Sequence, residues 1–490
     1  MQDSSPRALS SLAIWLNRRF GGLPPEQVQD LAACTWLFSA VLWSLVGMAL
    51  GMIEAIKLIF PHLLGGVDVL SFGRLRPAHV NTIIFGWLTM GVTGAALYMI
   101  PRLAERRLYL GELAVLMGLL YNLIVGASIF LLMWGFTKGK EYEEWIIPLN
   151  IGVLFCINVV AVCLLLTLLK RQHEKLYVTV WYVILGFVGF DISYISGNFP
   201  TYYGAEDASI NWFYAEAFVG LWLIGGGVGI LYYVIPKYLN KKLFWHQLAL
   251  WSFWLFAAFY VWTGGRRLVY APVPELWPML GILFTLGWAL PVLAINITWF
   301  GTFWGRWHEL LNSVPLRFAA LAGISYFLSS YEVSVEAYEY FNANQQFSDF
   351  KIAHAHLSFA GFTTPAIVAL IYFMLEKGLN RRLSPFLTSA HWWLFFIGLW
   401  MYVIPIQVAG FLEGQVWASH LPFAQSVLAR SPYYWARTFS GYGLAGGQFL
   451  FAWNIIWALL QNPDSTRERA LREAMLPEGT EAAAARGQVK

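Results

Sequence analysis

Apolar residues along this chain collect in long runs separated by short polar connectors. Each run reaches about 18 residues or more, the length a helix needs to cross the hydrocarbon core of a bilayer. Twelve runs can be counted, near 31–59, 78–100, 111–135, 145–169, 176–197, 212–235, 245–263, 275–300, 315–331, 352–375, 386–411 and 438–460. The pattern predicts an all-α, polytopic membrane protein with twelve transmembrane helices. The first 30 residues are polar and the first apolar run is too long for a cleavable signal peptide, so none is expected. The expected organisation is a cytoplasmic N-terminal segment (1–30), a membrane domain (31–461), and a charged tail (462–490) that forms a short helix followed by disorder.

Composition agrees with the pattern: hydrophobic residues are 58% of 490 and charged residues only 12%. The basic residues give an orientation, because short cytoplasmic loops are enriched in Lys and Arg. Arg18 and Arg19 precede the first span, and basic clusters follow the second (Arg102, Arg106, Arg107), fourth (Lys170, Arg171, Lys175), sixth (Lys237, Lys241, Lys242) and tenth (Arg381, Arg382). Both termini are therefore expected in the cytoplasm of a bacterial or archaeal cell. Lys138, Lys140, Arg430 and Arg437 are exceptions on the outer side. The net charge of +4 reflects this topology and gives no reason to expect a nucleic-acid partner; lipid is the expected surroundings. The 25 Trp and 24 Tyr gather at span ends, as interfacial belts do. The clustered glycines of "LIGGGVGILYY" read as close helix contacts, since no strand precedes them as a nucleotide loop would require.

Candidate chemistry starts with three histidines: His79 in "GRLRPAHVNT", and His354 and His356 in "FKIAHAHLSF". An ionisable side chain inside a membrane is a functional candidate by default, with satisfaction by interhelical hydrogen bonds as the alternative. His354 and His356 are two apart on a helix, about 200° around its axis at roughly 100° per residue. They cannot share a metal, but they can serve one cofactor on each face. By the loop count, His79 lies at matching depth near the outer surface. One histidine pair giving a six-coordinate low-spin haem, and the remaining histidine a five-coordinate reactive haem, is the arrangement this spacing allows. The three cysteines (Cys34, Cys156, Cys163) include no CxxCH, so no haem is held covalently. The electron donor is then expected to be a quinol or another polypeptide. Of the other histidines, His62 and His420 fall in outer loops, His173 and His308 in inner ones, and His246 and His391 near the inner interface, where interfacial packing is the expected role.

At the level of motifs, "RPAHVNTIIFGWL", "GKEYEEWIIP", "FYVWTGGRRLVYAPVPELW", "LSSYE" with "FKIAHAH", and "SPYYWARTFSG" occur in an order and spacing that resemble the catalytic subunit I of haem-copper oxidases. The likeness is greatest to the C family (cbb-type cytochrome c oxidases) and extends to nitric oxide reductases. It implies two b haems: His79 and His356 as axial ligands of the low-spin haem, His354 as proximal ligand of the high-spin haem. It further implies Arg437 and Arg76 near haem propionates, Glu332 beside the active-site haem, and a membrane-anchored cytochrome c subunit, or a quinol, as donor. It makes the chain an expected oxidoreductase.

The departure from the resemblance is at the metal that faces the high-spin haem. Where the family has three copper-ligating histidines, this chain has Glu216, Arg266 and Arg267, while Tyr260 stands where the family's crosslinked tyrosine does. Arginine remains protonated and offers no lone pair, so this set is no copper or iron site. Glu216 is expected to bridge the two arginines. Two consequences follow from this replacement. Either the arginines assist reduction of a small ligand (nitric oxide, oxygen or nitrite) at the haem, or the cluster plugs the cavity and the chain is a non-catalytic dihaem carrier in a larger complex. Tyr232, Tyr233, Thr263 and Ser329 are candidates for a proton path by position alone, although most hydroxyls in membranes bond back to their own helix.

Overall fold

The computed structural model describes residues 30–200 and 202–461; the expectations for the N-terminal segment up to residue 29 and for the tail lie outside the described residues. Among the described residues, twelve helices are long and apolar enough to cross a membrane: α1 (Leu31–Ile59), α2 (Phe72–Ala104), α3 (Gly111–Met133), α4 (Ile147–Leu169), α5 (Val178–Asn198), α6 (Gly204–Tyr238), α7 (His246–Leu268), α8 (Leu276–Phe303), α9 (Val314–Glu336), α10 (Asp349–Gly378), α11 (Pro385–Ala418) and α12 (Phe423–Leu460). No strand occurs among the described residues.

Several helices extend beyond their apolar runs. α2 starts at Phe72 and not 78, α6 at Gly204 and not 212, and α12 at Phe423 and not 438. Polar first turns explain the shortfall, because hydropathy registers the hydrocarbon-spanning part of a helix and not its polar extension. The outer-side cations are also accounted for. Arg430 and Arg437 lie within α12 and not in a loop; Arg430 pairs with Asp349 at 3.2 Å and Glu413 at 2.6 Å, and Arg437 approaches Glu54 at 4.0 Å. In the loop between α3 and α4, Lys138 donates to Asn198 at 3.1 Å and Lys140 pairs with Asp207.

Burial sorts the spans into two classes. The most apolar stretches of α2, α6 and α10 are 94% buried, against 39–50% for the other nine. Those nine close into a ring, in the order α1, α3, α4, α5, α7, α8, α9, α11, α12 and back to α1, around the central three. Glycines let the central helices meet: a Cβ on Gly226 of α6 would lie 2.5 Å from Val92 of α2, and one on Gly227 would lie 2.8 Å from Phe362 of α10. Small residues at such contacts are how membrane helices pack without a hydrophobic drive between them.

Each central helix also carries π-helical turns: Thr82–Thr89 in α2, Phe218–Ile224 in α6, and Phe359–Thr363 in α10. They begin within three residues of His79, Glu216 and His356 respectively. A π-turn inserts an extra residue and rotates everything beyond it around the helix, and such turns concentrate at functional sites.

Candidate functional site

Two histidine centres share the same half of the bundle, near the starts of α2 and α10. In the first, His79 Nδ1 donates to the Gly47 carbonyl at 2.8 Å and His356 Nδ1 donates to the Ile352 carbonyl at 2.8 Å. A carbonyl can only accept, so both protons sit on Nδ1 and both Nε2 lone pairs are free for a metal. A Cβ on Gly51 would lie 2.6 Å from His79 Cε1, so this glycine makes room for the ring. The His356 ring packs on Tyr402 with centroids 4.3 Å apart, and the Arg437 guanidinium lies over Tyr402 at 5.6 Å. The Arg437 side chain is 11% exposed, with its Nε buried and unpartnered, a donor suited to a propionate. Arg76 stands apart, 39% exposed and paired with Glu141 at 3.3 Å.

The second centre surrounds His354. Its Nδ1 donates to Glu332 Oε2 at 3.0 Å, again leaving Nε2 free, and Glu332 also accepts from Gln407. Glu332 lies inside α9, whose helix runs on to Glu336, past the end of the apolar run at 331. His354 lines a cavity of ≈ 100 Å³ walled by Glu216, Tyr260, Arg267, Tyr326 and Trp288, with small side chains at Ala215, Ser329, Ser330, Ala355 and Ser358. An uncommitted imidazole nitrogen facing a space lined by small and aromatic groups fits a five-coordinate haem. Holding α10 in place, the Asp349 carboxylate in its first turn accepts from Tyr434 at 2.8 Å as well as from Arg430, five residues ahead of His354.

Across the cavity, α7 loses its α-helical form after Tyr260, and Thr263–Leu268 forms a 3₁₀ segment carrying Arg266 and Arg267. Two glycines allow this segment to press against α8: a Cβ on Gly265 would sit 2.3 Å from the Trp277 carbonyl, and one on Gly281 would sit 2.1 Å from the Arg266 nitrogen. The backbone carbonyls of Arg266 and Arg267 accept from Asn342 at 3.2 Å and Gln346 at 3.1 Å, so the segment is held from the other side by the short helix Glu339–Gln345 and the residue that follows it.

The structure brings Glu216 between the two arginines, 2.7 Å from Arg266 Nη2 and 3.4 Å from Arg267 Nε. The arginines are not equivalent, contrary to the expectation that both face the ligand. Arg266 is 1% exposed, donates to the Thr263 carbonyl at 2.9 Å, and does not line the cavity, whereas Arg267 does. In a 3₁₀ turn of three residues, neighbouring side chains point about 120° apart, so only one of an adjacent pair can face the pocket.

Two further residues, which no sequence pattern singled out, extend the cluster. Arg267 Nη1 lies 3.7 Å from Glu336 Oε2, and that same oxygen is 2.5 Å from Lys351 Nζ. The chain of charges is thus Arg266, Glu216, Arg267, Glu336, Lys351. A sequence signal for Lys351 existed, since it lies three residues ahead of His354 and so on nearly the same helix face. Among the described residues, no group of three or more His, Cys, Asp or Glu side chains is placed to hold a metal ion.

The remaining candidates are more ordinary. Tyr260 stacks on Phe256 and meets Trp288 edge-on at the cavity wall. Thr263 and Ser329 bond back to the carbonyls of Tyr260 and Tyr326, while Tyr232 joins Ser252 and Thr298 in a buried hydroxyl cluster. His391, in the second turn of α11, is fully buried with its Nδ1 2.9 Å from the Tyr372 hydroxyl.

Known proteins supply a frame for this geometry. Residues 32–443 match the family described as "Cytochrome C and Quinol oxidase polypeptide I". The chain is 28% identical over 440 residues to the Cbb3-type cytochrome c oxidase subunit CcoN1 of Stutzerimonas stutzeri, covering 86% of this chain and 93% of that protein. It is 22% identical over 462 residues to a nitric oxide reductase subunit of the same organism, covering 85% of this chain and 92% of that protein. A haem-copper terminal oxidase dimer solved by cryo-EM shares the fold, with a TM-score of 0.72 at 14% identity over 89% of this chain and 84% of that one. With twelve apolar helices, a matching fold and a family match across most of its length, this chain is an integral membrane protein and belongs to subunit I of the haem-copper oxidase family.

Proposed function

We propose that this chain is a dihaem b respiratory subunit that passes electrons, from a membrane-anchored cytochrome c subunit or a quinol, to a small ligand held beside His354. The observation that carries the reading is the ion cluster: Glu216 lies between Arg266 and Arg267, the three positions at which the sequence resemblance implies copper-ligating histidines. When bound, the two haems would supply the redox centres. His79 and His356 would hold the low-spin haem through their free Nε2 atoms, with Arg437 as propionate partner, and His354 would hold the high-spin haem.

The protein's own groups then divide the labour. Glu332 fixes the His354 ring and adds negative charge to it, strengthening the ligand as carboxylate partners do. Arg266 holds Glu216 from behind, and Glu216 in turn holds Arg267 against the cavity, where a preorganised cation can stabilise charge developing on a ligand. Tyr260 and Trp288 close the wall beside them. This donor set offers copper one carboxylate and no imidazole, so no copper is assigned to it. Orientation with both termini in the cytoplasm follows from the basic loops.

A second reading, a non-catalytic carrier or structural subunit, is favoured by the same cluster if it acts only as a plug. The reduced protein separates the two. Haem quantitation should give two b haems per chain, one of which takes up carbon monoxide with a changed Soret band. Uptake by neither haem would contradict the catalytic reading and leave the carrier.

A further inference from the structure

The ion cluster does not balance. Arg266, Arg267 and Lys351 contribute three positive charges, Glu216 and Glu336 two negative ones, and none of the five side chains is more than 14% exposed. A buried charge without a counter-charge costs several kcal/mol in a low-dielectric interior. Glu332 is the carboxylate behind His354, but it is engaged by His354 Nδ1 and Gln407, and its charge would match the +1 core of a ferric haem held by His354. One cation therefore remains in excess. Arg267 is the cluster's cation at the cavity wall. Its contacts to Glu216 at 3.4 Å and Glu336 at 3.7 Å are long beside the 2.7–2.9 Å of a charge-assisted hydrogen bond, so its fork is only loosely engaged.

We propose that the cavity shared by Arg267 and His354 binds a small planar monovalent oxyanion, of the size of formate or nitrite, which completes the charge balance of the cluster. Planar oxyanions match the guanidinium fork in two hydrogen bonds, which a spherical ion cannot do. The inference rests on the haem at His354 and the metal-free cluster proposed above. Reduction of that haem lowers its core charge from +1 to 0, so the anion binds the ferric state more tightly. By linkage, the anion must then lower the potential of the high-spin haem, by 59 mV for each tenfold preference in a one-electron couple.

Formate is the probe, being inert to reduction, with chloride as control, in a potentiometric titration of the full protein. Formate should lower the high-spin midpoint by a tenfold preference or more, 59 mV, and leave the low-spin haem unmoved. Lys351→Gln, which removes the excess charge without touching the cavity wall, should lose most of the shift, and Lys351→Arg should keep it. No shift with formate, as expected if a haem propionate supplies the missing charge, would overturn the proposal. An equal shift with chloride would overturn it as well, as would a full shift in Lys351→Gln. Copper, or iron beyond one per haem, found in the same preparation would instead defeat the metal-free reading on which the proposal rests.

Discussion

The two histidine centres are built from the same side chain in the same tautomer, yet their surroundings differ. His79 and His356 give their Nδ1 protons to backbone carbonyls, near apolar side chains, an aromatic ring and a glycine. His354 gives its proton to a carboxylate and faces a cavity walled by Glu216 and Arg267. A carbonyl fixes a ring and leaves its charge alone, while a carboxylate adds basicity to the ring and hence electron density to whatever the ring binds. The first centre is suited to holding a group rigidly, and the second to changing what happens at it. On the proposed assignment, the histidines set where each haem would bind and the second partner of each histidine sets what it could do there.

Removing a ligand breaks the comparison most completely. His354→Ala should halve the haem content and remove the high-spin species alone, whereas His79→Ala should remove the low-spin species; haem quantitation with optical spectra distinguishes the two. Next in size is Glu216→Gln. It leaves Arg266, 1% exposed, with its cationic head short of a counter-charge, and truncating one side of a buried pair costs about 3–5 kcal/mol. Thermal unfolding should show that loss, and the doubly substituted Arg266→Gln, Arg267→Gln protein should lose turnover while keeping both haems. Glu332→Gln keeps the hydrogen bond but removes the charge, so haem retention at His354 should weaken by roughly 10–100-fold, with no change at the other centre.

The smallest expected effect concerns the loop between α3 and α4, beside the first centre. Burial pushes the Glu144 carboxyl up to about 7, against a hydrogen bond from Asn81 at 3.1 Å. The folded state therefore holds a proton that the unfolded chain releases near pH 4.5. Stability from this group is highest below that pH, falls as pH rises toward 7, and the penalty is full above it. Glu144→Gln, which keeps an acceptor for Asn81, should raise the melting temperature at pH 8 and change it little at pH 4.

Much of this was legible in the sequence, for reasons that also explain what was not. Apolar runs report hydrocarbon thickness directly, so the twelve spans and their order emerged, and a histidine inside such a run stands out against its neighbours. Glu336 and Lys351 did not, because each lies just past the end of an apolar run, at 331 and before 352, where charged residues are commonplace. Only the folded helices show α9 and α10 continuing through them, with their tips meeting at 2.5 Å. The divergence of Arg266 from Arg267 was hidden for a different reason: "WTGGRRL" sits at the end of an apolar run, and nothing in hydropathy separates a 3₁₀ turn from an α-helical one.

The central claim, that a carboxylate and two guanidiniums stand in place of a metal opposite His354, is tested most directly by elemental analysis of iron and copper per haem in the purified protein. One iron per haem and no copper is the predicted result. Stoichiometric copper, or a second iron beyond the two haems, would contradict it.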